Sequence, residues 1–475
     1  MRTVPVCAAL AAAIVLAPIA ARAQSRLGPA ALDLRGCVAY ALAHSPTILT
    51  RRATLAQDES AFARARANEL PPVTGLLQNQ VQKSANSQGA LAAYGLTSSS
   101  VFSQNTAQIG TVWNIYNGSS NQLQAQQAKR IMEAARDDLR RAEDQIAQDV
   151  TNAYFTVAAR HGTVTLDQFD RAYQQQLVDN ARINEKVGRA AGVDVLRAEV
   201  DELRAQAALT TALSDEATAR EALAATIGAP PDAPFAVPVD IPEPAVPQTP
   251  LQALIEVASA NRTDIASAKA QVASAELGDS LIDTDLKPAI QLTGAFGNQN
   301  SPTANAQTAA QLAAQNAQLI AAGQPPLSTV ISHAGFWQLG ATETFQIGLI
   351  DYGARAAAHR AARAQIEAAV ANLASARHAV ETDVRQAVRG VQTAAANLTT
   401  SKEAARLGAE SARISQLQYK NGLISLTDAT QAEQTNLSAQ NDLVTARVAY
   451  VEAIVHLRVA IGTQEPLAVV DLRNA

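Results

Sequence analysis

The sequence predicts a mainly α-helical protein with a membrane-associated β portion, built from two copies of one structural unit. The chain has 475 residues, and positions 117–228 match positions 351–462 at a constant spacing of 234 without a gap. In each copy, two segments with alternating apolar residues precede a run of 68 residues that lacks proline. A period of this length indicates two copies of one large motif rather than a solenoid of short repeats. Each unit is therefore expected to be a β-hairpin followed by a long antiparallel helical hairpin.

Residues 1–23 have the pattern of a secretory signal peptide. Arg2 precedes an apolar run from Val4 to Ala20, and Ala21-Arg22-Ala23 has the A-x-A form of a cleavage site. An uncleaved membrane anchor is the alternative, which the short run and its two prolines disfavour. Beyond this segment no apolar stretch reaches the roughly 18 residues that a membrane-spanning helix needs. Any membrane crossing is therefore expected to use β-strands, and the mature chain is expected to leave the cytoplasm.

The composition disfavours several classes of function. A net charge of -5 is not that of a nucleic-acid-binding protein. Only Cys37 follows the predicted signal, so no internal disulfide is expected, and we expect a packed thiol rather than a lipid anchor. The six histidines lack metal-ligand spacing, and neither a nucleophile elbow nor a phosphate-binding loop occurs. No enzyme activity, metal or cofactor is therefore expected.

The first repeat is expected to span residues 24–228. Helices precede a β-hairpin, whose strands of about ten residues suit a tilted bilayer crossing, although a soluble hairpin on a helical domain is the alternative. Gly228 has the position of a helix C-cap glycine. The predicted elements are a β-hairpin over about 73–116, with strands 73–82 and 106–116, a long helix over about 119–186 and a return helix over about 194–226.

The second repeat, residues 251–462, is expected to have the same order of elements. Its spacing differs from that of the first copy by an extra 18 residues, which we place in a loop over about 301–335. A connector over 229–250 holds eight prolines and is predicted to be extended, with a flexible linker between independent domains as the alternative. The predicted elements are a β-hairpin over about 289–350, with strands 289–300 and 337–350, a long helix over about 353–420, a return helix over about 428–460 and a tail over 463–475.

Both long helices begin directly after a strand. Asn117-Gly118-Ser119 and Asp351-Tyr352-Gly353 offer N-cap side chains at this switch. Each run of 68 residues would form a rod about 100 Å long at 1.5 Å per residue. Few compact domains could contain such a rod.

Three segments resemble motifs of the outer-membrane efflux protein family, the TolC-like export channels. The stretch Tyr419-Lys420-Asn421-Gly422-Leu423-Ile424-Ser425-Leu426-Thr427-Asp428 resembles the family's turn between the long and return helices. Ile350-Asp351-Tyr352-Gly353 and Tyr116-Asn117-Gly118-Ser119 resemble its strand-to-helix turn. The resemblance implies a homotrimer with a 12-stranded β-barrel in the outer membrane that continues into a 12-helix α-barrel in the periplasm. A trimer is physically reasonable, because four strands alone leave open edges that lipid does not tolerate.

The resemblance places the two inter-helix turns at the periplasmic tip. Gly188 and Gly422 supply the permissive backbone of a tight turn. Leu423, Ile424 and Ser425 are then expected to dock a periplasmic adaptor protein, although a plain turn without a partner is the alternative. Ala191 stands at the position of Ser425 in the first repeat, so the two turns need not be equal docking sites.

The resemblance also implies a channel constriction just inside the tip. Asp428 falls on the family's ring aspartate, Asp194 on its first-repeat counterpart, and Tyr419 on a latch tyrosine. Three copies of Asp428 around a narrow axis would attract cations and repel one another. The chain departs from the pattern at Ile424, where some members have a latch arginine, and at Gln431, where they have a second acidic ring. From the helix pattern alone, Asp194 and Asp428 are simple N-caps.

The function that this resemblance implies is that of an exit duct in a tripartite export system. The duct would be passive, lie in outer-membrane lipid, and depend on an inner-membrane transporter and a periplasmic adaptor to move drugs or other toxic small molecules. A type I protein-secretion duct or a metal-efflux duct is the alternative. A periplasmic coiled-coil adaptor or scaffold is disfavoured, because it needs neither bilayer-length strands nor two copies of the unit.

Overall fold

The computed structural model describes residues 32–86, 98–188, 191–236, 241–245, 249–300, 303–304, 306–324, 326, 333–345 and 351–462. The predicted signal peptide over 1–23 and tail over 463–475 lie outside the described residues, as does the end of the predicted strand at 346–350. The described chain is mostly helical and has one sheet.

Nine helices and five strands occur in the described residues. The helices are α1 (Leu34–His44), α2 (Pro46–Ala67), α3 (Ser120–Lys186), α4 (Gly192–Ile227), α5 (Leu251–Asn261), α6 (Thr263–Leu281), α7 (Ala306–Ala321), α8 (Ala354–Lys420) and α9 (Leu426–Ile461). The strands are β1 (Thr74–Asn86), β2 (Ser98–Asn117), β3 (Ala289–Asn300), β4 (Thr303–Ala304) and β5 (His333–Thr344).

The four longest helices lie side by side in one row. The helices α3 and α8 have 67 residues each, about 100 Å, and α4 and α9 have 36 each. Within the described chain α4 packs on α3, α3 on α9 and α9 on α8, which gives the order α4-α3-α9-α8. The contact between α3 and α9 joins the two halves of the sequence, and α4 and α8 are the two edges of the row.

Side chains of the preceding turns cap both long helices. The Oδ1 of Asn117 accepts a hydrogen bond from the Asn121 amide at 3.2 Å, and Asp351 accepts from the amides of Gly353 and Arg355 at 3.0 and 3.2 Å. These bonds satisfy amides that a helix N-terminus leaves without an intrahelical partner. The turn residues that the sequence singled out therefore hold the switch from strand to helix.

The two hairpins form a single antiparallel sheet in the order β1-β2-β3-β5, with the short β4 paired to β2. The pairing of β2 with β3 joins the first hairpin to the second, which the sequence did not predict. Among the described strands, β1 and β5 are the free edges. The strands β1, β2 and β3 begin or end beside the helices, so the sheet stands at one end of the helical row.

One face of the sheet is apolar and uncovered. The register aligns Gly75, Ile109, Phe296 and Trp337 across the four strands on this face. The side chains of Ile109, Phe296 and Trp337 are 61%, 72% and 79% exposed, and Leu77 on the same face is 87% exposed. The opposite face carries mainly Gln, Thr and Gly. Within the described residues, the sheet therefore presents one mainly apolar and one mainly polar surface.

The structure corrects three details of the sequence prediction. The stretch over about 301–335, expected to be a loop, contains the helix α7, whose run of Ala, Gln and Leu favours a helix despite its position between strands. Strand β2 begins at Ser98 rather than 106, and β5 begins at His333 rather than 337. The added residues of β2 pair with β1, and those of β5 pair with β3, so in both cases the partner strand supplies the hydrogen bonds that extend the strand.

The proline-rich connector is tied to the helices along its described parts. The Tyr450 hydroxyl donates to the Pro244 carbonyl at 2.6 Å, and that of Tyr154 donates to the Ala236 carbonyl. Glu243 forms ion pairs with Lys402 and Arg447. These contacts contradict the alternative of a flexible linker between independent domains.

Two apolar clusters lie where the short helices meet the long ones. The first joins α1, α3, α4 and α9 and contains Cys37, which is completely buried. Burial raises the pKa of the Cys37 thiol to about 12, and the side chain has the packed position expected from the sequence. The second cluster joins α5 and α6 to α8 and α9.

Among the described helices, none combines the length and the apolar composition that a membrane-spanning helix requires.

Candidate functional site at the helical turns

The turn between α8 and α9 is a closed helix C-cap. Gly422 has a φ of 71°, and its amide donates to the Tyr419 carbonyl at 2.9 Å, while the Leu423 amide donates to the Gln418 carbonyl at 2.9 Å. This is the hydrogen-bond pattern of a Schellman motif, which needs a left-handed residue at the glycine position. No atom lies within 4 Å of where a Cβ on Gly422 would stand, so conformation and not space requires glycine here.

The turn between α3 and α4 has the same beginning. Gly188 also has a φ of 71°, and its amide donates to the Glu185 carbonyl at 2.9 Å. Residues 189–190 of this turn lie outside the described residues. The two glycines predicted to turn the chain therefore do so in the same way in both halves.

Asp194 and Asp428 hold the starts of the return helices, but not as N-caps. The N-cap residues are Ala191 and Ser425, and the aspartates stand three residues later. Asp428 accepts from the Ser425 amide at 3.3 Å and from its hydroxyl at 2.7 Å, and the Asp428 amide donates back to the Ser425 Oγ at 3.2 Å. This reciprocal pair is a capping box. The alternative that these aspartates are simple N-caps is therefore wrong, because the N-cap residue of each helix lies three positions earlier.

The first repeat has only half of this box. Asp194 accepts from the Ala191 amide at 3.3 Å, but alanine has no side-chain acceptor to complete the pair. Asp194 also lies 3.7 Å from the Arg197 guanidinium. The replacement of Ser425 by Ala191 between the repeats therefore makes the two turns chemically different.

Tyr419 joins the two turns. Its ring packs on a buried cluster formed by Leu177, Val178, Ala181, Val195, Ala198 and Leu426. Burial and the negative charge of Asp194 raise the pKa of the Tyr419 hydroxyl, and a hydrogen bond with the Asn184 side chain opposes this shift. The structure therefore packs Tyr419 of the second half on the apolar cluster and hydrogen-bonds it to Asn184 of the first half. Asn184 and Leu426 take part in this contact without any signal in the sequence, apart from their closeness to the turns.

The remaining residues of the second turn form an exposed apolar tip. Leu423 is 73% exposed, Ser425 is exposed and Ile424 is half-buried. Val187 and Val193, which flank the first turn, are also exposed. Asp428 is exposed beside them. Within one chain the aspartates at positions 194 and 428 each serve their own helix start and do not meet in a ring.

A profile of the outer membrane efflux protein family matches the chain twice, over residues 38–229 and 254–463. Each matched segment contains one long helix and one return helix. Among characterised proteins, the outer membrane efflux protein BepC of Brucella suis is 31% identical over 121 residues, which is 25% of this chain and 26% of BepC. The chain therefore matches about a quarter of the length of that relative.

Several solved structures share the fold. The Campylobacter jejuni CmeC outer membrane channel superposes with a TM-score of 0.72 at 15% identity, over 90% of this chain and 85% of CmeC. The open state of the Neisseria gonorrhoeae MtrE outer membrane channel superposes with a TM-score of 0.67 at 20% identity, over 90% and 88% of the two chains. The resemblance found in the sequence is confirmed: the chain belongs to the outer membrane efflux protein family, and it is located in the outer membrane and extends into the periplasm.

Proposed function

We propose that three copies of this chain form a passive exit duct, with a 12-stranded β-barrel in the outer membrane and a 12-helix α-barrel in the periplasm. The duct would accept small toxic molecules from an inner-membrane transporter through a periplasmic adaptor. Four strands and four long helices from each chain would give these numbers. Family membership supports the general role, and the unpaired surfaces of the single chain support the assembly.

The observation that carries the proposal is a sheet with two free edges and one uncovered apolar face. The edges β1 and β5 leave backbone donors and acceptors unpaired, and the apolar face exposes Leu77, Ile109, Phe296 and Trp337. Lipid would cover the apolar face, but only closure of the sheet on itself satisfies the edges. Pairing β5 of one copy with β1 of the next closes the sheet, and the polar face then lines the lumen.

The helical row has the same property. Its edge helix α4 exposes an apolar stripe of Val193, Leu196, Val200 and Leu203. Its other edge, α8, exposes Leu407, Ile414 and Leu417. Residues spaced by three and four positions lie on one helix face, so each stripe is a continuous seam. The α4 seam of one copy would pack on the α8 seam of the next.

The internal contact between α3 and α9 predicts the register of this seam. The Thr163 Oγ1 donates to the Asn441 Oδ1 at 3.1 Å across that contact. A shift of 234 positions converts Thr163 to Asn397 on α8, and the reverse shift converts Asn441 to Ala207 on α4. A ring of three chains would contain three contacts between α3 and α9 and three between α8 and α4 of the next copy. If all six have the same register, Asn397 of one copy would face Ala207 of its neighbour.

The tip residues acquire their proposed roles in such a ring. Asp428, with Asp194 and Tyr419, would form the constriction, because three copies of the exposed Asp428 would face one axis. Gly188 and Gly422 would shape the tip, and Leu423, Ile424 and Ser425 would contact the adaptor. The packing of Tyr419 on Leu177 and its neighbours, with its hydrogen bond to Asn184, would hold the two hairpins of a chain together beside the constriction.

Ion conduction through planar bilayers tests the proposal. Purified wild-type protein should form stable channels that multivalent cations block from the periplasmic side, because the ring would be anionic. Asp428→Ala should change the conductance and weaken the block. Asp442→Ala, which removes an exposed aspartate farther along the same helix, is the matched control and should behave as wild type. Equal conductance and equal block in Asp428→Ala and wild type would refute the role of Asp428, and an absence of any channel would refute the duct.

Small-molecule export, protein secretion and metal efflux differ in the cargo that passes through the duct. Deletion of the gene should raise the accumulation of a fluorescent dye in intact cells if small molecules are the cargo. Unchanged dye accumulation together with loss of a secreted protein, or with sensitivity to metal ions alone, would favour one of the alternatives.

A further inference from the structure

Four acidic and amide side chains lie at the same level of the neighbouring helices α3 and α9, two turns from the start of α9. They are Asp170 and Gln174 on α3 and Glu433 and Asn436 on α9, and they are called the acidic group below. The group has no part in the turns, in the proposed constriction or in the apolar seams. It lies where the helical hairpin of the first half touches that of the second.

The placement of the group follows from contacts on either side of it. The bond between Thr163 and Asn441 fixes the two antiparallel helices at one point, and the packing of Leu177 on Leu426 fixes them at another. Counting about two turns along each helix from the first contact brings Asp170 opposite Glu433. Counting from the second contact gives the same pairing.

The hydrogen bonds leave oxygen atoms without partners. The Gln174 Nε2 donates to the Asp170 Oδ1 at 3.0 Å, and the Asn436 Nδ2 donates to the Glu433 Oε1 at 3.2 Å. Gln174 is only 4% exposed, yet its Oε1 has no partner among the described residues, and neither has the buried Asn436 Oδ1. Buried carbonyl oxygens of this kind normally have a partner, so these two point to a missing one.

The group also carries uncompensated negative charge. Burial raises the pKa of Asp170, and the nearby charge of Asp201 adds to this effect. Burial likewise raises the pKa of Glu433, with a further contribution from Asp170. Among the described residues, only the amides of Gln174 and Asn436 oppose these shifts, and no basic side chain does so. A cation between the carboxylates would supply the missing charge.

The donor set defines the class of cation. All four candidate ligands are oxygens of carboxylates or amides, which suit hard cations. Among the described residues no three His, Cys, Asp or Glu side chains converge as a metal site, so a tightly held transition metal does not fit. Ca²⁺ accepts amide carbonyls and flexible geometry more readily than Mg²⁺.

We propose that Asp170, Gln174, Glu433 and Asn436 bind a Ca²⁺ ion that joins the two helical hairpins of one chain. The proposal goes beyond the duct and does not depend on it, because all four ligands belong to the same chain. Bound Ca²⁺ would hold the two helical hairpins of the chain together close to the tip.

The shift of 234 positions between the repeats provides a built-in comparison on α4 and α8. The position equivalent to Glu433 is Glu199, which pairs with the Arg182 guanidinium at 2.7 Å. The position equivalent to Asp170 is Ala404. The positions equivalent to Gln174 and Asn436 are Gly408 and Glu202, so the two carboxylates of the equivalent place both belong to α4, and none comes from α8. Because Glu199 already pairs with Arg182, Glu199→Gln is a matched control for Glu433→Gln.

Terbium luminescence tests the site in full-length protein in detergent. Tb³⁺ replaces Ca²⁺ at oxygen sites and emits when a nearby tyrosine is excited, and Tyr173 lies near both Asp170 and Glu433. We expect saturable emission that Ca²⁺ displaces with a midpoint on the order of 10⁻⁴ to 10⁻³ M, as at weak extracellular calcium sites. Ca²⁺ should also raise the melting temperature. Tyr173→Phe should lose most of the emission and keep the rise in melting temperature.

The variants separate this site from other acidic sites. Asp170→Asn and Glu433→Gln should each abolish both the emission and the Ca²⁺-dependent rise, whereas Glu199→Gln and Asp428→Ala should preserve both. Retention of both signals in Asp428→Ala would also distinguish this site from the proposed constriction. In the presence of a chelator, Asp170→Asn and Glu433→Gln should have melting temperatures at or above that of wild type, because each removes the repulsion between the two carboxylates. This measurement also shows that both variants fold.

Three results of the binding measurements would overturn the proposal. They are the absence of saturable binding to wild type, unchanged binding in both Asp170→Asn and Glu433→Gln, or loss of binding in Glu199→Gln. If the two carboxyl groups merely share a proton, Ca²⁺ will not change the melting temperature at any concentration, which also overturns it.

Discussion

At the scale of single residues, backbone conformation determines the tip more than packing does. Gly188 and Gly422 were identified from the sequence because a sharp turn between long helices needs a left-handed residue, and both have a φ of 71°. The roles of Asp194 and Asp428 were harder to predict, since Asp favours both the N-cap and the third helical position. The contact of Tyr419 with Asn184 could not be predicted from spacing, because it depends on how two distant helices pack.

Replacement of Gly422 tests this conformational role. Gly422→Ala should destabilise the turn by about 1 to 2 kcal/mol, the cost of a left-handed non-glycine residue, and Gly422→Asn by less. Hydrogen exchange of the Leu423 and Leu426 amides should accelerate accordingly. The control is Gly390→Ala in the middle of α8, which also has open space around it and should stabilise the helix by up to about 1 kcal/mol. Equal effects at the two positions would contradict the account.

A histidine near the start of α8 makes a pH-dependent contact. The His359 Nδ1 lies 2.7 Å from the Asp279 Oδ1, and the Nε2 lies 3.1 Å from the Asp283 Oδ1. These hydrogen bonds raise the pKa of His359 above 6.5, because only the protonated ring donates from both nitrogens. The stabilisation is therefore complete below about pH 6.5 and is lost as the pH rises through the raised pKa.

The measurement is the difference in melting temperature between wild type and His359→Gln. It should be largest near pH 6 and shrink toward zero in alkaline buffer. His378→Gln, at an exposed histidine farther along α8, should show no such trend. A difference for His359→Gln that grows with pH would refute the assignment of donors.

At the scale of elements, the long helices were predictable because their sequences lack proline and because glycines mark the turns that follow them. The sequence predicted helices over about 119–186 and 353–420, and the structure has them at Ser120–Lys186 and Ala354–Lys420. Strand ends were predicted less well, because a strand extends as far as its partner offers hydrogen bonds. The helix α7 was not predicted, because a polar insertion between two strands is typical of a loop. Its alanines favour the helix that the structure shows.

The two faces of the sheet should respond differently to charge. Leu77→Arg places a cation on the apolar face and should destabilise the membrane-inserted protein by up to about 2 to 4 kcal/mol. Gln78→Arg changes the next residue of β1, on the polar face, and should be tolerated. The yield of folded protein in lipid vesicles measures both. Similar yields for the two variants would contradict the assignment of faces.

At the scale of the whole molecule, the repeat was visible in the sequence but the arrangement of the two copies was not. The spacing of 234 positions shows that the halves are alike, yet it does not show that α3 contacts α9 or that β2 pairs with β3. Those contacts join the halves into one sheet and one row with free edges. The free edges are the physical reason to expect a ring of three chains.

Disulfide trapping at the α4–α8 seam tests that central claim most directly. In a Cys37→Ala background, the double variant Ala207→Cys with Asn397→Cys should form bonds between neighbouring chains on mild oxidation, because the repeat places these residues face to face. Denaturing electrophoresis should then show covalent dimers and a limiting species of three chains, whereas each single variant should remain monomeric. A double variant that stays monomeric after oxidation, or that forms species larger than three chains, would contradict the trimeric duct.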